Sequence, residues 1–252
     1  MTRYPIYVPS KGRPARCLTG RLMDTGGVPF RIVVEEPERD EYAAEFGPDR
    51  LLVLPDVDRG ITVARNWIKD HAMSEGHTRH WQFDDNISCL RQWDAGNRDV
   101  CEPAPALASM EGFVDRYTNV AIAGLQHTAF GHEITTPFSI NKMAYSAVLV
   151  NSDDYRWRGT TGGEDVDYSI QVLVGGECTI LFRHWQIEKA ASGAIKGGNT
   201  ELYEEAGRVA RIRELQAAWP GLVNIERRWD RPRHNLNQIW RKFDQPLIRR
   251  EP

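Results

Sequence analysis

Short apolar runs alternate along the chain with segments whose apolar positions recur at helical spacing. The predicted strands are a segment that ends at Pro9, then Phe30–Glu36, Arg50–Pro55, a segment from His80 into Asn86, Asn119–Gly124, Met143–Val150 and Cys178–Phe182. The predicted helices lie at Cys17–Leu22, Glu38–Phe46, Gly60–Ala72, Met110–Tyr117, Glu164–Val174 and from Thr200 to Trp219. This alternation predicts right-handed βαβ crossovers in a mostly parallel sheet, with a binding crevice at the carboxyl ends of the strands.

The same pattern predicts one α/β domain and a C-terminal extension. We expect residues 1–200 to form the domain, and residues 201–252 to form a helix and a basic, aromatic extension that pack on it. The helix after Thr200 has glutamates in its first turn and arginines later, which is the charge order that a helix dipole favours.

The composition is that of a globular protein, with 252 residues of which 41% are hydrophobic and 27% are charged. These values exclude a disordered, collagen-like or coiled-coil chain. No apolar run approaches the ~20 residues that a membrane span needs, and the first residues lack a signal-peptide pattern. We therefore expect a cytoplasmic protein without a membrane partner, and no protein partner is evident. Four cysteines without CxxC spacing are expected to be reduced.

The net charge of −3 hides an uneven distribution of charge. Residues 1–34 and 221–252 are basic, and the stretch between them is acidic. This segregation favours a protein that collects a cation at its centre and holds phosphates near its ends, although charge runs are often only solvated faces.

Two acidic motifs lie where predicted elements end or begin. Phe83-Asp-Asp-Asn86 places three oxygen-bearing side chains at a strand end, where they suit a hard divalent cation, although acidic residues there are also common turn formers. Gly162-Gly-Glu-Asp165 opens a predicted helix, whose dipole keeps a carboxylate ionised and able to act as a general base. The alternative is an ordinary acidic helix start after a glycine turn.

A histidine and a glycine-rich segment follow the last predicted strand. We expect His184 to emerge at the edge of the crevice as a third metal ligand, unless it is a structural histidine. Residues 190–199 are rich in glycine and include Lys196, a composition that suits a mobile lid over a phosphate.

In order and spacing, these segments resemble those of nucleotide-sugar-dependent glycosyltransferases of the GT-A fold. Gly60-Ile-Thr-Val-Ala-Arg-Asn66 and Phe83-Asp-Asp-Asn86 resemble the G…ARN and DxD blocks of that group. Gly162-Gly-Glu-Asp165 resembles its GGED segment, and Arg183-His184 resembles its metal-binding histidine. The resemblance implies a Rossmann-like, mostly parallel central sheet flanked by helices, a UDP-sugar donor, and Mn²⁺ or Mg²⁺ as cofactor.

The resemblance also implies roles for the matching residues. Asp165, with Glu164 beside it, would be the catalytic base of an inverting transfer. Asp85 or Asn86, together with His184, would hold the metal, although Asn86 stands where the family usually has a carboxylate. The residues implied for donor binding are Pro9, Ser10, Arg13, Arg16, Glu35 or Glu36, Arg65, Asp84 and Lys196.

The blocks Tyr7-Val-Pro-Ser-Lys-Gly-Arg-Pro14 and Phe83-Asp-Asp-Asn-Ile87 are most similar to a phage branch of these enzymes, the TET-associated glycosyltransferases. This similarity implies an acceptor in DNA, the hydroxymethyl group of a pyrimidine such as 5-hydroxymethylcytosine, and a location in the host cytoplasm if a phage encodes the protein.

Independently, the C-terminal segment interleaves cations with aromatic side chains, as suits a surface that binds phosphates and bases. Alternatively, the aromatic residues pack on the domain and the arginines point to water. The predicted DNA-binding residues are Arg227, Arg228, Trp229, Arg231, Arg233 and Trp240.

Two other functions are compatible with the sequence. A GT-A transferase could act on a cell-surface glycan or a small molecule, with the basic segment mediating oligomerisation. A non-catalytic module could bind DNA or a sugar nucleotide.

Overall fold

The structure is a computed structural model that describes residues 2–94, 96–130, 134–151, 155–159, 162–189, 205–228 and 231–251. Its strands are β1 (Ile6–Pro9), β2 (Arg31–Glu35), β3 (Leu51–Leu54), β4 (Arg79–Phe83), β5 (Ile87–Asp94), β6 (Asn97–Cys101), β7 (Val120–His127), β8 (Phe138–Ile140), β9 (Ala147–Asn151), β10 (Cys178–Lys189), β11 (Asn224–Arg228) and β12 (Arg231–Asn235). Its α-helices are α1 (Leu18–Thr25), α2 (Arg39–Phe46), α3 (Ile61–Ser74), α4 (Pro103–Val114), α5 (Glu164–Val174), α6 (Glu205–Ala218) and α7 (Asn237–Lys242).

The central sheet combines a parallel half with a mixed half. Its strand order is β3-β2-β1-β4-β9-β7-β10-β5-β6, with β8 paired to β10, while β11 and β12 form a separate hairpin. Neighbours from β3 to β4 are parallel, as are β7 and β10, whereas β9 runs antiparallel between β4 and β7. The ends of β1, β2, β4, β7 and β10 therefore share one edge with the start of β9. We call it the carboxyl edge.

Helices cover both faces of this sheet because alternate strand residues point to opposite sides. Ile6 of β1 belongs to a buried cluster with Met23 of α1 and Leu107 of α4, whereas the next residue, Tyr7, packs with Ile68 of α3. This arrangement confirms the mostly parallel α/β sheet flanked by helices that the sequence predicts. None of the helices in the described ranges is long and apolar enough to span a membrane.

The C-terminal segment packs against α5. The two share a buried cluster made of Val166, Ile170, Leu173, Leu215, Val223, Leu236 and Ile239. Trp240 and Phe243 pack against the same cluster. This agrees with the alternative that the aromatic residues of the C-terminal segment pack on the domain. Beyond α7 the chain returns to the sheet, where the N–H of Ile248 donates to Oδ1 of Asn119 at 2.8 Å.

The sheet differs from the prediction in two places. Strand β10 does not end at Phe182 but continues to Lys189, because its second half pairs antiparallel with β5. Strands β5, β6 and β8 are not predicted at all. β6 is largely exposed and polar, so it lacks the apolar run by which the other strands are recognised.

Candidate active site

Side chains from β4, β10, α3 and α5 meet at the carboxyl edge of the sheet. Asp84 directly follows β4, Lys189 is the last residue of β10, and Arg65 lies in the second turn of α3. Asp165 is in the first turn of α5, after Gly163, whose φ of 98° is in the left-handed region that favours glycine. The fold thus brings charges of both signs together from segments that are distant along the chain.

Asp84 is the centre of an ion-pair network. Its Oδ1 accepts a hydrogen bond from Nη2 of Arg65 at 3.0 Å, and its Oδ2 accepts one from Nζ of Lys189 at 3.0 Å. Nζ of Lys189 also donates to Oγ of Ser146 at 2.8 Å. Burial alone would raise the pKa of Asp84, but the charges of Lys189 and Arg65 outweigh it and hold that pKa below its ordinary value. Asp84 is therefore ionised at neutral pH.

Asp85 is bound by β1 and the loop that follows it. Its Oδ2 accepts a hydrogen bond from Oγ of Ser10 at 2.7 Å, and its Oδ1 accepts one from Nη1 of Arg13 at 2.8 Å. Oγ of Ser10 also lies 2.7 Å from the hydroxyl of Tyr42. Because the single proton of Ser10 goes to Asp85, Tyr42 is the donor in that pair. The predicted donor-binding residues Ser10 and Arg13 thus hold a predicted metal ligand.

Two further carboxylates lie beside the same buried arginine. Arg65 is 3% exposed, and its Nε lies 3.9 Å from Oε1 of Glu164. Burial is the largest cause of a raised pKa at Asp165, to about 7, and the negative charges of Glu164 and Asp84 add to it while Arg65 opposes it. A carboxyl group that titrates near neutrality is well matched to accept a proton from a hydroxyl group.

Helix α3 also holds the segment that leads into α5. The ring of Trp157 lies against the guanidinium of Arg65, whose Cζ is 4.7 Å from the ring centroid. Three side chains of α3 bind the backbone of residues 155–159. Thr62 donates to the carbonyl of Gly159 at 2.7 Å, and Lys69 donates to the carbonyl of Tyr155. Asn66 donates to the carbonyl of Trp157 at 2.8 Å and accepts from its N–H at 3.0 Å. One helix therefore positions both Arg65 and the approach to Asp165.

A small cleft lies beside this network, at the ends of β2 and β3. Its lining residues are Glu35, Leu54, Pro55, Asp56, Arg59, Gly60, Val63, Ala64 and Trp67. Glu35 is 8% exposed and accepts hydrogen bonds from Nζ of Lys11 at 2.7 Å and from the N–H of Asp58 at 2.9 Å. Of the two glutamates predicted to meet the donor, Glu35 lines the cleft, whereas Glu36 is exposed.

Two other predicted donor-binding residues, Pro9 and Arg16, have no described contact with the network, and a third lies outside the described residues. Pro9 is buried as the last residue of β1, and Arg16 is exposed in a short turn before α1. Lys196, with the glycine-rich segment that was expected to form a lid, lies outside the described residues.

His184 lies within β10 rather than after its end. The pairing of β10 with β7 is irregular between Phe182 and Gln186, so His184 lies in a bulged part of the strand, near the level of Leu125 and Gln126 of β7. The last residue of β10, Lys189, lies opposite Ile87, next to the acidic turn. The metal-binding role of His184 stays a prediction.

The metal-binding roles of Asp85, Asn86 and His184 stay predictions. The oxygens of Asp85, like those of Asp84, already accept hydrogen bonds from cationic or hydroxyl side chains. Oδ1 of Asn86 is buried without a hydrogen-bond partner, but one amide oxygen does not make a site for a cation that takes about six oxygen ligands. Among the described residues, no group of three or more His, Cys, Asp or Glu side chains could hold a metal ion. The described oxygens of the acidic turn therefore do not fit Mn²⁺ or Mg²⁺.

An exposed aromatic group borders the network after β7. Phe130 is 71% exposed, and its ring centroid lies 5.6 Å from that of His127 and 6.4 Å from that of Tyr145. Tyr145 directly precedes Ser146, and His127 lies opposite Ile187 of β10. A large exposed ring is thus placed beside the charged site.

The structure describes the side chains of three of the predicted DNA-binding residues. Arg227 is exposed on β11, Arg233 of β12 forms an ion pair with Glu226, and Trp240 packs against the C-terminal cluster. The side chains of Arg228 and Arg231 and the whole of Trp229 lie outside the described residues.

The sequence did not indicate Lys189, Ser146 or Tyr42 as site residues. Alternation of apolar and polar residues in Trp185-Gln-Ile-Glu-Lys189 was a usable signal that β10 continues to Lys189. Ser146 and Tyr42 carry no motif, because only the pairing of strands and the packing of α2 bring them to the acidic turn.

The chain matches one family of known proteins and has remote likenesses to solved structures. The family model for the TET-associated glycosyltransferases matches residues 4–198. One solved structure is described as a nucleotide-diphospho-sugar transferase from Desulfovibrio desulfuricans G20. It matches with a TM-score of 0.45 and 11% identity over 75% of this chain and 83% of that one. A197 from STIV has a TM-score of 0.46 and 10% identity over 75% of this chain and 86% of that one. None of the curated proteins compared with the chain matches it.

The mostly parallel α/β sheet flanked by helices is the fold class of GT-A glycosyltransferases, and the protein is a glycosyltransferase. Because the family match covers more than half of the chain, the chain belongs to the TET-associated glycosyltransferases.

Proposed function

We propose that this protein is an inverting glycosyltransferase that moves a sugar from a UDP-sugar to the hydroxymethyl group of 5-hydroxymethylcytosine in DNA. The observation that carries the proposal is Asp165, a carboxyl group of raised pKa at the carboxyl edge of the sheet, beside Arg65 and Asp84. The acceptor is inferred from the family, whose members are implicated in adding sugars to hydroxymethylated pyrimidines.

Asp165 acts as the general base. As the carboxylate, it takes the proton of the acceptor hydroxyl while that oxygen attacks the anomeric carbon of the sugar. The bond from this carbon to the nucleoside diphosphate breaks in the same step, and its electron pair leaves with the diphosphate. A single displacement by one acceptor oxygen inverts the anomeric configuration. Glu164 takes no direct part, but its negative charge keeps the affinity of Asp165 for a proton high.

The donor lies on the parallel half of the sheet. Glu35 lines the cleft after β2, where a carboxylate accepts hydrogen bonds from the N–H groups of a nucleobase. Arg13 follows β1 and supplies positive charge between this cleft and the acidic turn. The ends of parallel strands are where ligands bind in open α/β sheets.

The acceptor lies on the mixed half of the sheet. Phe130 offers an exposed ring beside Tyr145, one residue from Ser146 of the charged network. Stacking on an aromatic ring stabilises an unstacked base by about 1–3 kcal/mol. A base inside a duplex cannot reach a carboxylate in a protein site, so the enzyme swings the target nucleotide out of the helix.

The direct experiment incubates DNA that contains 5-hydroxymethylcytosine with a panel of UDP-sugars and measures the masses of the digested nucleosides. We expect one sugar to be added and Asp165→Asn to reduce turnover by about 10²-fold or more. Asp99→Asn is the matched control, because Asp99 is exposed on β6. Phe130→Ala should raise the KM for DNA and leave hydrolysis of the donor unchanged.

Two results would count against the proposal. Equal turnover of Asp165→Asn and wild type would remove Asp165 from the role of base. If no modified nucleoside forms and sugar is transferred instead to a glycan or a small molecule, DNA is not the acceptor. A DNA affinity that does not fall as the salt concentration rises would agree with that result.

A further inference from the structure

The acidic turn after β4 is already neutralised by side chains of the protein. Asp84 lies 3.0 Å from Lys189 and 3.0 Å from Arg65, and Asp85 lies 2.8 Å from Arg13. In a site built for a divalent ion, the ion relieves the repulsion between neighbouring carboxylates. Here three cationic side chains do so.

Lys189 is placed differently from the two arginines. The pairing of β10 with β5 shifts between Glu188 and Lys189, so that Glu188 lies opposite Cys89 and Lys189 lies opposite Ile87. The extra residue at this bulge is Ser88 of β5, and bulges are frequent next to active sites. Past the bulge, Lys189 pairs with the first residue of β5 and lies beside the acidic turn.

The ammonium group of Lys189 joins the two halves of the sheet. Nζ lies 3.0 Å from Oδ2 of Asp84, after β4, and 2.8 Å from Oγ of Ser146, before β9. Its side chain is 15% exposed, compared with 3% for Arg65, which is also bound to Gln82 at 3.2 Å. Lys189 is therefore a fixed positive charge that a ligand at the carboxyl edge can approach, whereas Arg65 is enclosed.

We propose that the ammonium group of Lys189 supplies the positive charge that a divalent cation supplies in metal-dependent transferases, so that the nucleoside diphosphate binds and leaves without a metal. The inference rests on the proposed function. When the bond from the anomeric carbon to the diphosphate oxygen breaks, its electron pair adds negative charge to the diphosphate, and Lys189 stabilises that charge. The acceptor proton passes to Asp165, so the step balances without a further reactant.

Calorimetric titration of the full chain tests this role by binding rather than turnover. The ligand is whichever of UDP, GDP, CDP, ADP and dTDP binds most tightly, measured in EDTA and again in Mn²⁺. We expect the same affinity in both. In EDTA, Lys189→Met should weaken binding of the diphosphate by about tenfold or more and binding of the corresponding monophosphate much less, because the monophosphate lacks the second phosphate.

Two further variants separate charge from structure. Lys189→Arg keeps the charge and should retain most of the affinity that Lys189→Met loses. Lys142→Met is the matched control, because Lys142 is exposed; it should bind the diphosphate like wild type. If Lys189→Met does not fold, the comparison of wild type in EDTA and in Mn²⁺ decides the question.

The outcomes distinguish this inference from the proposed function. An affinity that disappears in EDTA and returns with Mn²⁺, or that Lys189→Met leaves unchanged, overturns the role of Lys189 and leaves a nucleotide-sugar transferase in place. Failure of all five diphosphates to bind in either condition overturns both.

Discussion

At the scale of single residues, Asp165 shows that a buried carboxyl group of raised pKa has a cost in stability. Burial and the charge of Glu164 raise the pKa of Asp165 from 3.8 to about 7. Between these pH values the folded protein still holds a proton that the unfolded chain has released. The contribution of Asp165 to the free energy of unfolding is therefore largest at acid pH and falls as the pH rises towards 7.

We expect Asp165→Asn to be more stable than wild type at pH 8, because the amide carries no charge to bury. Partial exposure of the site reduces the gain to about 1 kcal/mol, or ~2–4 °C in Tm for a chain of this size. The difference should shrink as the pH falls towards 4 and disappear below the unfolded pKa of 3.8, where wild-type Asp165 is protonated in both states. Thermal unfolding across this pH range measures it, and a variant less stable than wild type at pH 8 would contradict the raised pKa.

The sequence indicates a residue of the site when a local motif carries it. Asp84, Arg65 and Asp165 stand in short blocks whose chemistry is visible without a fold, and the structure brings all three together. Lys189 could not be found in this way, because its position depends on the pairing of β10 with β5 and on the bulge in it. The predicted strand also ended at Phe182, seven residues before Lys189.

At the scale of elements, α3 joins the two acidic motifs mechanically. Arg65 faces the turn after β4, and Asn66 binds both backbone groups of Trp157, in the segment that leads into α5. The distance between Asp84 and Asp165 is therefore set by one rigid helix. The predicted span of α3 began at Gly60 and agrees with its start at Ile61, but the contacts of Asn66 were not predicted, since they are made with a distant loop.

We expect Asn66→Ala to destabilise the protein by about 2 kcal/mol, because it removes two hydrogen bonds and leaves a backbone N–H and a carbonyl without partners. Turnover should fall more than affinity for the donor. Hydrogen exchange should become faster in residues 155–159. Ser74→Ala, at the exposed end of the same helix, serves as the control. Unchanged exchange in residues 155–159 would show that α3 does not position that segment.

At the scale of the whole molecule, the C-terminal segment is part of the fold as well as a source of charge. Val223, Leu236 and Ile239 are buried against α5, the helix that carries Asp165 in its first turn. The charge pattern of this segment was visible in the sequence, but its packing was not, because the apolar partners lie in a helix far back along the chain.

Truncation after Gly221 should therefore unfold the protein or lower its Tm by more than ~10 °C, since burying each of these side chains stabilises the fold by about 1.5–3 kcal/mol. Arg227→Glu reverses the charge of an exposed position and should lower the Tm far less than the truncation does, while weakening DNA binding at low salt. Thermal unfolding and DNA titration measure the two effects. A truncated chain with the Tm of wild type would contradict the packing role.

Strand β9 has a consequence for how such enzymes diversify. Because it runs against its neighbours, the connection that enters it comes to the same edge as the ends of the parallel strands. Mutations in the stretch of chain before β9 could therefore change the acceptor. The parallel strands, where the donor is proposed to bind, could keep their sequence. We expect lineages of this family to differ most between Thr128 and Ser146 and to trade specificities by exchanging that stretch.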